Sequence, residues 1–333
     1  MTPGPASTSA AALSAAVVIC AYTEDRWDLL RAAVQSAQAQ SVRPERVVVC
    51  VDHNDALAVR CEQHWPREGQ PAGAPPVVVV RNRYAGRLGS ARNTAAEQVS
   101  ADVIAFLDDD AAADPDWLVT LLRAYDDGGA VAVGGAPRPV FQTERPCWFP
   151  PEFDWVFGCH YAGLPERRAP VRHLIGASMS VRTDALRAIG GFRSDNHDDM
   201  DLSHRIAAAY GSAAVQYEPA ACVHHFVSAQ RLTWRYFWRR CYLVNRGKVR
   251  AFSDMGHAGN LGAELAFVRR TLLRIVRRIP AAITGDRCAA AQVAVIVAGF
   301  GLAGLGHLVG RVELRLGLTP DSPTIGLGPR EGA

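Results

Sequence analysis

The stretch ADVIAFLDDDAAADPDW, which runs from Ala101 to Trp117, joins an apolar segment directly to a group of three acids. The segment from Val103 to Leu107 has the composition of a buried strand, and Asp108, Asp109 and Asp110 follow it without a break. Neighbouring carboxylates repel one another, so packing alone gives a strand no reason to end on three of them. The stretch indicates either a solvated acidic turn or a site that receives a positively charged group.

Segments of the same apolar, β-branched kind recur along the first half of the chain. Strand-like runs occupy 14–22, 46–52, 75–82 and 102–110, and helix-like sequences lie between them. Such alternation is typical of a parallel sheet with helices on both faces. We therefore expect an α/β fold with a Rossmann-like, mostly parallel sheet flanked by helices.

Composition places the chain among ordinary globular proteins. Its 333 residues are 49% hydrophobic and 21% charged, and the formal net charge is only +3, which gives no support to a nucleic-acid partner. The eight cysteines include no Cys-x-x-Cys pair, and several lie in apolar, strand-like runs. We expect buried free thiols in a reducing cytoplasm rather than a disulfide framework or a zinc site.

The two ends of the chain lack the patterns of folded structure. Residues 1–14 contain no Lys or Arg, which a secretory signal peptide would need, so they predict a disordered lead-in. Residues 317–333, rich in Pro and Gly, predict a flexible tail. Between them we expect a main α/β domain over 15–250 and a helical extension over 251–316.

The extension contains a basic amphipathic helix in RRTLLRIVRRIP, from Arg269 to Pro280. Leucine, isoleucine and valine cover much of its surface, and helical spacing places four arginines on one face: Arg270, Arg274, Arg277 and Arg278. This pattern favours contact with a membrane surface. A solvated helix packed on its own domain is the alternative.

An apolar span follows at 288–310. It has no Asp, Glu, Lys or Arg, and a helix of that length reaches about 34 Å, enough to cross the apolar part of a bilayer. Arginines cluster before the span, which would leave the preceding domain on the cytoplasmic side of the membrane. Many Ala and Gly residues lower its hydrophobicity, so a buried helical hairpin is the alternative. Gly306 and Gly310 have the spacing of a helix-packing motif.

Polar residues follow several predicted strands at their carboxyl ends. Tyr22 and Glu24 come after the first strand, Asp52 after the second, and Asp108 to Asp110 after the fourth. Ligands of such sheets bind in the crevice at these strand ends, so the acidic residues there are expected to converge. Carboxylate oxygens suit Mg2+ or Mn2+, with ligand phosphates completing the coordination.

Two glycine-containing motifs lie elsewhere in the chain. GRLGSARN, from Gly86 to Asn93, lacks the spacing of a phosphate-binding loop, but it brings Arg87 and a helix N-terminus toward an anion. In HLIGASMSV, Gly176 and Ala177 allow a ligand to approach the backbone closely. A plain helix start and tight packing are the respective structural alternatives.

Two further segments carry groups suited to catalysis and binding. NHDDMDLSHRI places Asp198 and Asp199 at the beginning of a helix, where they either cap it or supply a general base. CVHHFVSAQRLTWRYFWRRC contains His225 and then a helix rich in arginine and aromatic residues. Arg231 and Trp234 in this segment suit a phosphate, a sugar or a membrane interface.

Taken in order, these motifs resemble glycosyltransferase family 2, whose members have the inverting GT-A fold. The resemblance covers 15–250, and its elements keep the family's order and spacing: VVICAYTEDR, VVVCVDHN, GRLGSARNTAAEQVSADVIAFLDDDA, GAS with GGF, HDDMDL and VHHFVSAQRLTWRYFWRR. It implies a catalytic domain that uses a nucleotide-sugar donor, a UDP-sugar in the first instance, and a divalent metal ion, Mg2+ or Mn2+.

The family's nucleoside-binding residues match positions near the first strands. The resemblance implies that Ala21, Tyr22 and Glu24 hold the nucleoside. It also implies that Asp52 and Arg87 contact the base.

The acidic motifs of the family match as well. Asp108 and Asp110 correspond to its DxD motif, which implies that Asp110 binds the metal while Asp108, with Asp109 beside it, lies nearer the donor ribose. Asp198 and Asp199 correspond to an acidic pair, usually Glu-Asp, whose second member is the catalytic base. The resemblance therefore implies that Asp199 is the base and leaves the acceptor contact of Asp198 open.

The last matching segment bears on the metal and on processivity. His225 corresponds to a family histidine near the diphosphate and is the second expected metal ligand. Processive members carry Gln-x-x-Arg-Trp, whereas this chain has QRLTW at 230–234, which predicts a single transfer.

These observations predict metal-dependent transfer of a sugar to a hydroxyl or phosphate acceptor, either lipid-linked or part of a cell-envelope glycan. The enzyme is expected at the cytoplasmic face of the cell membrane, attached peripherally or by a single span, or in the cytoplasm if the apolar span is buried. A sugar nucleotidyltransferase is one alternative, but it would carry a basic, Gly-rich loop where this chain has AYTEDRW. A non-catalytic nucleotide-sugar-binding membrane protein is another, and it would not need an acid at position 199.

Overall fold

The computed structural model describes residues 13–85, 87–126, 128–193, 197–251 and 262–318, so the predictions for 1–12 and 319–333 lie outside it. The strands of these residues are β1 (Ala15–Ala21), β2 (Val47–Val51), β3 (Val77–Arg81), β4 (Val103–Asp108), β5 (Ala111–Ala113), β6 (Ala132–Phe141), β7 (Ala169–Pro170), β8 (Ser178–Arg182) and β9 (Val215–Val227). The helices are α1 (Trp27–Gln38), α2 (Asp55–His64), α3 (Leu88–Ala96), α4 (Trp117–Arg123), α5 (Thr183–Ala188), α6 (Asp198–Tyr210), α7 (Trp234–Ala251), α8 (Gly262–Ile283) and α9 (Arg287–Arg315).

One sheet organises the described part of the chain, with the order β3-β2-β1-β4-β8-β6-β9-β5 and with β7 beside β9. The first four strands pair in parallel, as their buried Val- and Ile-rich runs predict. The later strands make the sheet mixed, because β8 runs antiparallel to β4 and β6, and β5 runs antiparallel to β9. The expected α/β fold with flanking helices is confirmed, and its parallel part is the half that carries the strand-end acids.

Two apolar cores cover the two faces of the sheet. On one face, α1, α2 and α4 contribute Leu30, Leu57 and Leu118 to a core with alternate strand residues. On the other face, α3, α5 and α6 pack a second core against the intervening strand residues. Alternate side chains of a strand point to opposite faces, so each strand of the central group is buried on both sides.

A third core joins the segment after β6 to the last helices. Phe149, Phe153 and Phe157 lie in or beside a 3-10 helix at Pro151–Phe157, and they pack with Phe237 of α7 and Val295 of α9. The extension predicted at 251–316 therefore does not stand apart from the main domain. Its last helix completes an aromatic core that the main domain begins.

One cysteine pair departs from the sequence expectation of free thiols. Cys147 and Cys288 form a disulfide, so the prediction is wrong for these two residues. They are 141 positions apart and meet because the start of α9 folds back onto the segment after β6. No local sequence pattern predicts this contact. The other six cysteines are free thiols.

The helix-packing glycines of the apolar span lie where α9 meets α7. A Cβ at Gly306 would be 2.3 Å from the backbone oxygen of Tyr242, and one at Gly310 would be 2.6 Å from that of Arg246. Only glycine allows this approach of two helix backbones, as the spacing of the two residues predicts. The outer part of α9 is a different surface, since only 22% of its most apolar 18-residue stretch is buried.

Candidate active site

The carboxyl ends of β1, β2 and β4 meet at one edge of the sheet. The backbone N–H of Asp52 donates to the carbonyl oxygen of Ala21 at 2.8 Å, and Asp108 lies in register with Cys20 of β1. The sheet therefore brings Ala21, Asp52 and Asp108 together, as predicted. This edge is the place where a ligand of the parallel strands would bind.

Residues expected to hold a nucleoside line the outer part of this edge. Tyr22 is 56% exposed, and Glu24 lies in the turn after it with an oxygen 3.9 Å from Arg60. Asp52 accepts a hydrogen bond of 2.7 Å from the side-chain amide of Asn82, which follows β3. Asn82 was not predicted from the sequence, and it fixes the orientation of the Asp52 carboxylate.

Arg87 directly precedes α3 and is connected to this edge through Ser90, whose hydroxyl also accepts a hydrogen bond of 2.8 Å from the Asn82 side chain. Its carbonyl accepts a hydrogen bond from the Ser90 hydroxyl at 2.6 Å, and its side chain is exposed. Its expected contact with a base remains a prediction.

The three consecutive acids occupy three different environments. Asp108 is half-buried and Asp110 is buried, and an oxygen of each belongs to a compact group with a nitrogen of His225, all within 4.8 Å of one another. Asp109 lies outside this group, and its Oδ1 accepts a hydrogen bond from Arg26 at 2.9 Å. Burial and the neighbouring Asp110 charge raise the pKa of Asp109 to about 7.

Positive groups surround Asp110. His225 Nε2 lies 2.9 Å from its Oδ1, while Arg26 and Arg231 lie 3.0 Å and 3.6 Å from its Oδ2. Burial alone would raise the pKa of Asp110, but the hydrogen bond with His225 and these charges outweigh it and lower the pKa to about 2. Asp110 is therefore a carboxylate held in its charged form inside the protein.

His225 is positioned from two sides. The pairing of β5 with β9 sets Ala111 opposite His225, which points the imidazole at Asp110. Its other ring nitrogen, Nδ1, lies 3.1 Å from the buried thiol of Cys159. Burial opposes a charge on the ring, but the contacts with Asp110 and Cys159 outweigh it and raise the pKa of His225 well above its ordinary value. Cys159 comes from the loop after β6 and was not predicted.

Asp108, Asp110 and His225 suit a divalent metal ion. Two carboxylates and a neutral imidazole form a usual ligand set for such an ion, so a metal bound here would displace the proton that His225 shares with Asp110. A second group, Asp114 with Cys222 and His224, meets the same distance criterion. Because adjacent residues of β9 alternate in direction, His224 belongs to the opposite side of the strand and is not part of the candidate active site.

A buried arginine joins the two acidic motifs. Arg92 of α3 is 2% exposed, and it donates from Nη1 to Asp198 at 2.7 Å and from Nη2 to Asp108 at 3.1 Å. It also donates to the carbonyl oxygen of Gly176 at 2.9 Å. Burial works against its charge, but Asp198 and Asp108 outweigh that effect and raise the pKa of Arg92 above its ordinary value. Arg92, and not its neighbour Arg87, is the guanidinium placed between the acids.

The acidic pair at the start of α6 has one inner and one outer member. Asp198 is 5% exposed and faces Arg92, whereas Asp199 is half-buried. Oδ2 of Asp199 accepts a hydrogen bond of 3.0 Å from the backbone N–H of Gly176, and Oδ1 accepts one of 2.8 Å from that of Met200. Gly176 thus touches both Arg92 and Asp199, and Ala177 beside it is buried.

The remaining predicted residues lie at the border of the third core. Trp234 is 44% exposed and stacks on Trp148 with ring centroids 3.9 Å apart. Arg231 precedes it in a short turn and is the nearer of the two to Asp110. The stacked indoles belong to an aromatic surface at the border of the third core.

Comparison with known proteins shows the family to which this arrangement belongs. Residues 16–190 match the family model described as Glycosyl transferase family 2. The chain is also 31% identical over 243 residues to glucosyl-dolichyl phosphate glucuronosyltransferase of Haloferax volcanii, covering 68% of this chain and 75% of that protein. The chain belongs to glycosyltransferase family 2. The predicted family and the predicted type of enzyme are therefore confirmed.

Other relatives of this family 2 glycosyltransferase share parts of the chain. Pre-mycofactocin glycosyltransferase of Mycobacterium tuberculosis is 30% identical over 205 residues, which are 58% of this chain and 40% of that protein. Succinoglycan biosynthesis protein ExoM of Rhizobium meliloti is 26% identical over 176 residues, 51% of this chain and 54% of that protein.

Solved structures confirm the GT-A fold. The mannosyltransferase PcManGT from Pyrobaculum calidifontis, in complex with GDP-Man and Mn2+, superposes with a TM-score of 0.56 at 18% identity, over 90% of this chain and 86% of that one. GalNAc-T7 with UDP, GalNAc and Mn2+ superposes with a TM-score of 0.51 at 14% identity, over 78% of this chain and 54% of that one.

Replacement of Arg92 by methionine is expected to lower the free energy of unfolding by about 3–5 kcal/mol, because Asp198 loses its partner while it stays buried. Urea denaturation of the purified protein measures the change. The double variant Arg92→Met with Asp198→Asn should recover part of the loss, since the unpaired charge is then absent. Arg81→Met is a matched control, because Arg81 pairs with Glu62 and Asp55 at the surface, and it should cost less than about 1 kcal/mol. A similar cost for both arginines would contradict the role given to Arg92.

Proposed function

We propose that this family 2 enzyme is a metal-dependent, inverting glycosyltransferase that moves one sugar from a UDP-sugar to an acceptor, with Asp199 as base. One observation carries the proposal. The carbonyl and the N–H of Gly176 bind Arg92 and Asp199 respectively, and Arg92 binds Asp108, so a chain of hydrogen bonds connects the acid expected beside the donor with the expected base.

The donor side needs positive charge, since the leaving group of the reaction is a nucleoside diphosphate. Asp108, Asp110 and His225 would hold a divalent cation, which supplies a Lewis acid to neutralise that leaving group when it is bound. Imidazole among the ligands suits a transition-metal ion, so Mn2+ is expected to serve better than Mg2+. Arg231 near Asp110 adds a guanidinium that would bind a phosphate oxygen.

The acceptor side needs a base that a substrate can reach. Asp198 does not fit that role, because it is buried and paired with Arg92. Asp199 is half-buried, and backbone donors hold both of its oxygens in place. Each carboxylate oxygen can accept more than one hydrogen bond, so capacity remains to receive a proton from the acceptor hydroxyl.

The chemistry of the acceptor follows from this base. A hydroxyl must lose its proton as it attacks the anomeric carbon, and direct displacement then needs one base and no covalent enzyme intermediate. A phosphate acceptor is already ionised near neutral pH and has no comparable need. The fixed carboxylate of Asp199 therefore favours a hydroxyl acceptor over a phosphate.

A lipid-linked acceptor at the cytoplasmic face of the membrane completes the proposal. It is supported by the name of the Haloferax volcanii relative, which refers to a dolichyl phosphate, and by the apolar outer surface of α9. The proposed donor is a UDP-sugar. UDP-, GDP- and dTDP-sugars can be compared directly by measuring how much nucleoside diphosphate each one releases.

Replacement of Asp199 by asparagine should reduce transfer to a hydroxyl acceptor by at least about a hundredfold, because the amide cannot accept the proton. Donor binding, measured by calorimetry with UDP and Mn2+, should stay within a few-fold of the wild type. Asp201→Asn is the matched control, since Asp201 lies in the same helical turn but pairs with Arg205. Unimpaired transfer by the Asp199→Asn variant would contradict the assignment of the base.

Removal of divalent metal by a chelator should abolish release of nucleoside diphosphate, and Mn2+ should restore it more fully than Mg2+. The Asp110→Asn variant should bind Mn2+ more weakly in paramagnetic resonance titrations, since the charged ligand is lost. Asp116→Asn, at an exposed acid a few residues along, is the control for charge alone. Full turnover in the chelator, or equal Mn2+ binding by the Asp110→Asn variant, would contradict the metal assignment.

A further inference from the structure

The outward face of α8 is apolar although nothing in the described part of the chain covers it. Four of its exposed residues follow helical spacing and form one stripe: Leu272, Val276, Ile279 and Ile283, which are 50%, 61%, 40% and 79% exposed. Leu273 adjoins the stripe and is 56% exposed. A helix that was only solvated would carry polar residues at these positions.

Arginines hold the opposite face of α8 to the protein and flank the apolar stripe. Arg278 donates to the fully buried carboxylate of Glu152 at 2.9 Å, and Arg274 lies 3.7 Å from the same group. Arg269 is exposed next to the stripe, and Arg270 and Arg277 are exposed between Leu273 and the face that packs on the protein. The combination of a fixed inner face with an apolar stripe bordered by cations complements a bilayer with anionic headgroups.

A second apolar stripe runs along α9. Seven exposed positions follow helical spacing on the side away from α7: Ala290, Ala294, Val297, Gly301, Leu305, Leu308 and Val312. The side that faces α7 carries Gly306 and Gly310 and the ion pair of Glu313 with Arg246. One side of α9 therefore packs against the protein, and the other side is apolar and exposed.

The packing of α9 on α7 bears on whether α9 crosses a bilayer. The two helices run in the same direction, because Gly299 meets Phe237, and Gly310 meets Arg246. Arg239 and Arg240 of α7 are exposed and lie in sequence between these contacts, level with the middle of α9. If α9 spanned the membrane in this arrangement, these charges would be carried toward the bilayer centre, at a cost of roughly 2.5–3.5 kcal/mol for each arginine.

We propose that α8 and α9 bind the surface of an anionic phospholipid bilayer and lie in its interface, so that the chain attaches without crossing the membrane. Leu272, Val276 and Ile279 would enter the boundary between headgroups and acyl chains. Arg270 and Arg277 would bind the lipid phosphates. The inference rests on the proposed function in one respect, since it brings the candidate active site to a lipid-linked acceptor.

Flotation of the full chain with vesicles tests the proposal. The protein should float with vesicles that are one-third phosphatidylglycerol in phosphatidylcholine, and it should not float with phosphatidylcholine alone. Val276→Gln with Ile279→Gln should abolish flotation. Arg270→Gln with Arg277→Gln should lower the partition coefficient roughly thirtyfold, from about 1 kcal/mol for each cation at the surface. Val59→Gln, at an apolar residue that is 45% exposed on α2, is the matched control and should float like the wild type.

Extraction distinguishes the two modes of attachment. Alkaline carbonate should release the protein from membranes of cells that express it, and retention in the membrane would overturn the in-plane arrangement. Absence of flotation with anionic vesicles, or equal flotation with neutral ones, would overturn the proposed partner. Binding of UDP with Mn2+ in vesicle-free buffer is measured in parallel, because its loss would count against the proposed function and not against the membrane surface.

Discussion

The buried guanidinium of Arg92 is the contact on which the candidate active site depends. It binds Asp108 at the end of β4 and Asp198 at the start of α6, which are 90 positions apart in the chain. A charge taken out of water needs good partners, so the two carboxylates and the carbonyl of Gly176 are held where Arg92 requires them. The acidic edge of the sheet and the helix that carries Asp199 are thereby fixed relative to each other.

Much of this arrangement follows from local sequence. Buried β-branched runs and the helices between them predict the parallel half of the sheet, and strand-end acids predict the edge at which Asp52 and Asp108 meet. Arg92 was missed because an arginine in a helical segment usually lies at the surface. One signal was available in the sequence: after its first residue, LGSARNTAA contains only small and polar residues, and a helix of that kind can be enclosed on all sides. In the structure, eight of its nine residues are buried. An arginine within such a helix must have partners.

Other features depend on contacts between distant segments and could not be read from the chain. Cys159 reaches His225 only because the loop after β6 returns to β9, and Cys147 reaches Cys288 only because α9 folds back. The same packing changes the interpretation of the apolar span at 288–310. Its composition is compatible with a bilayer crossing, whereas its glycine contacts with the arginine-rich α7 favour attachment to one side of the membrane.

In the proposed reaction, one fixed carboxylate on the acceptor side and a neutralised diphosphate on the donor side produce direct displacement at the anomeric carbon. Proton NMR of the glycosidic bond that forms when an α-linked nucleotide-sugar reacts with a hydroxyl acceptor tests this most directly. A single displacement inverts the configuration, so the new glycosidic bond should be β. Formation of an α-glycosidic bond would contradict the account.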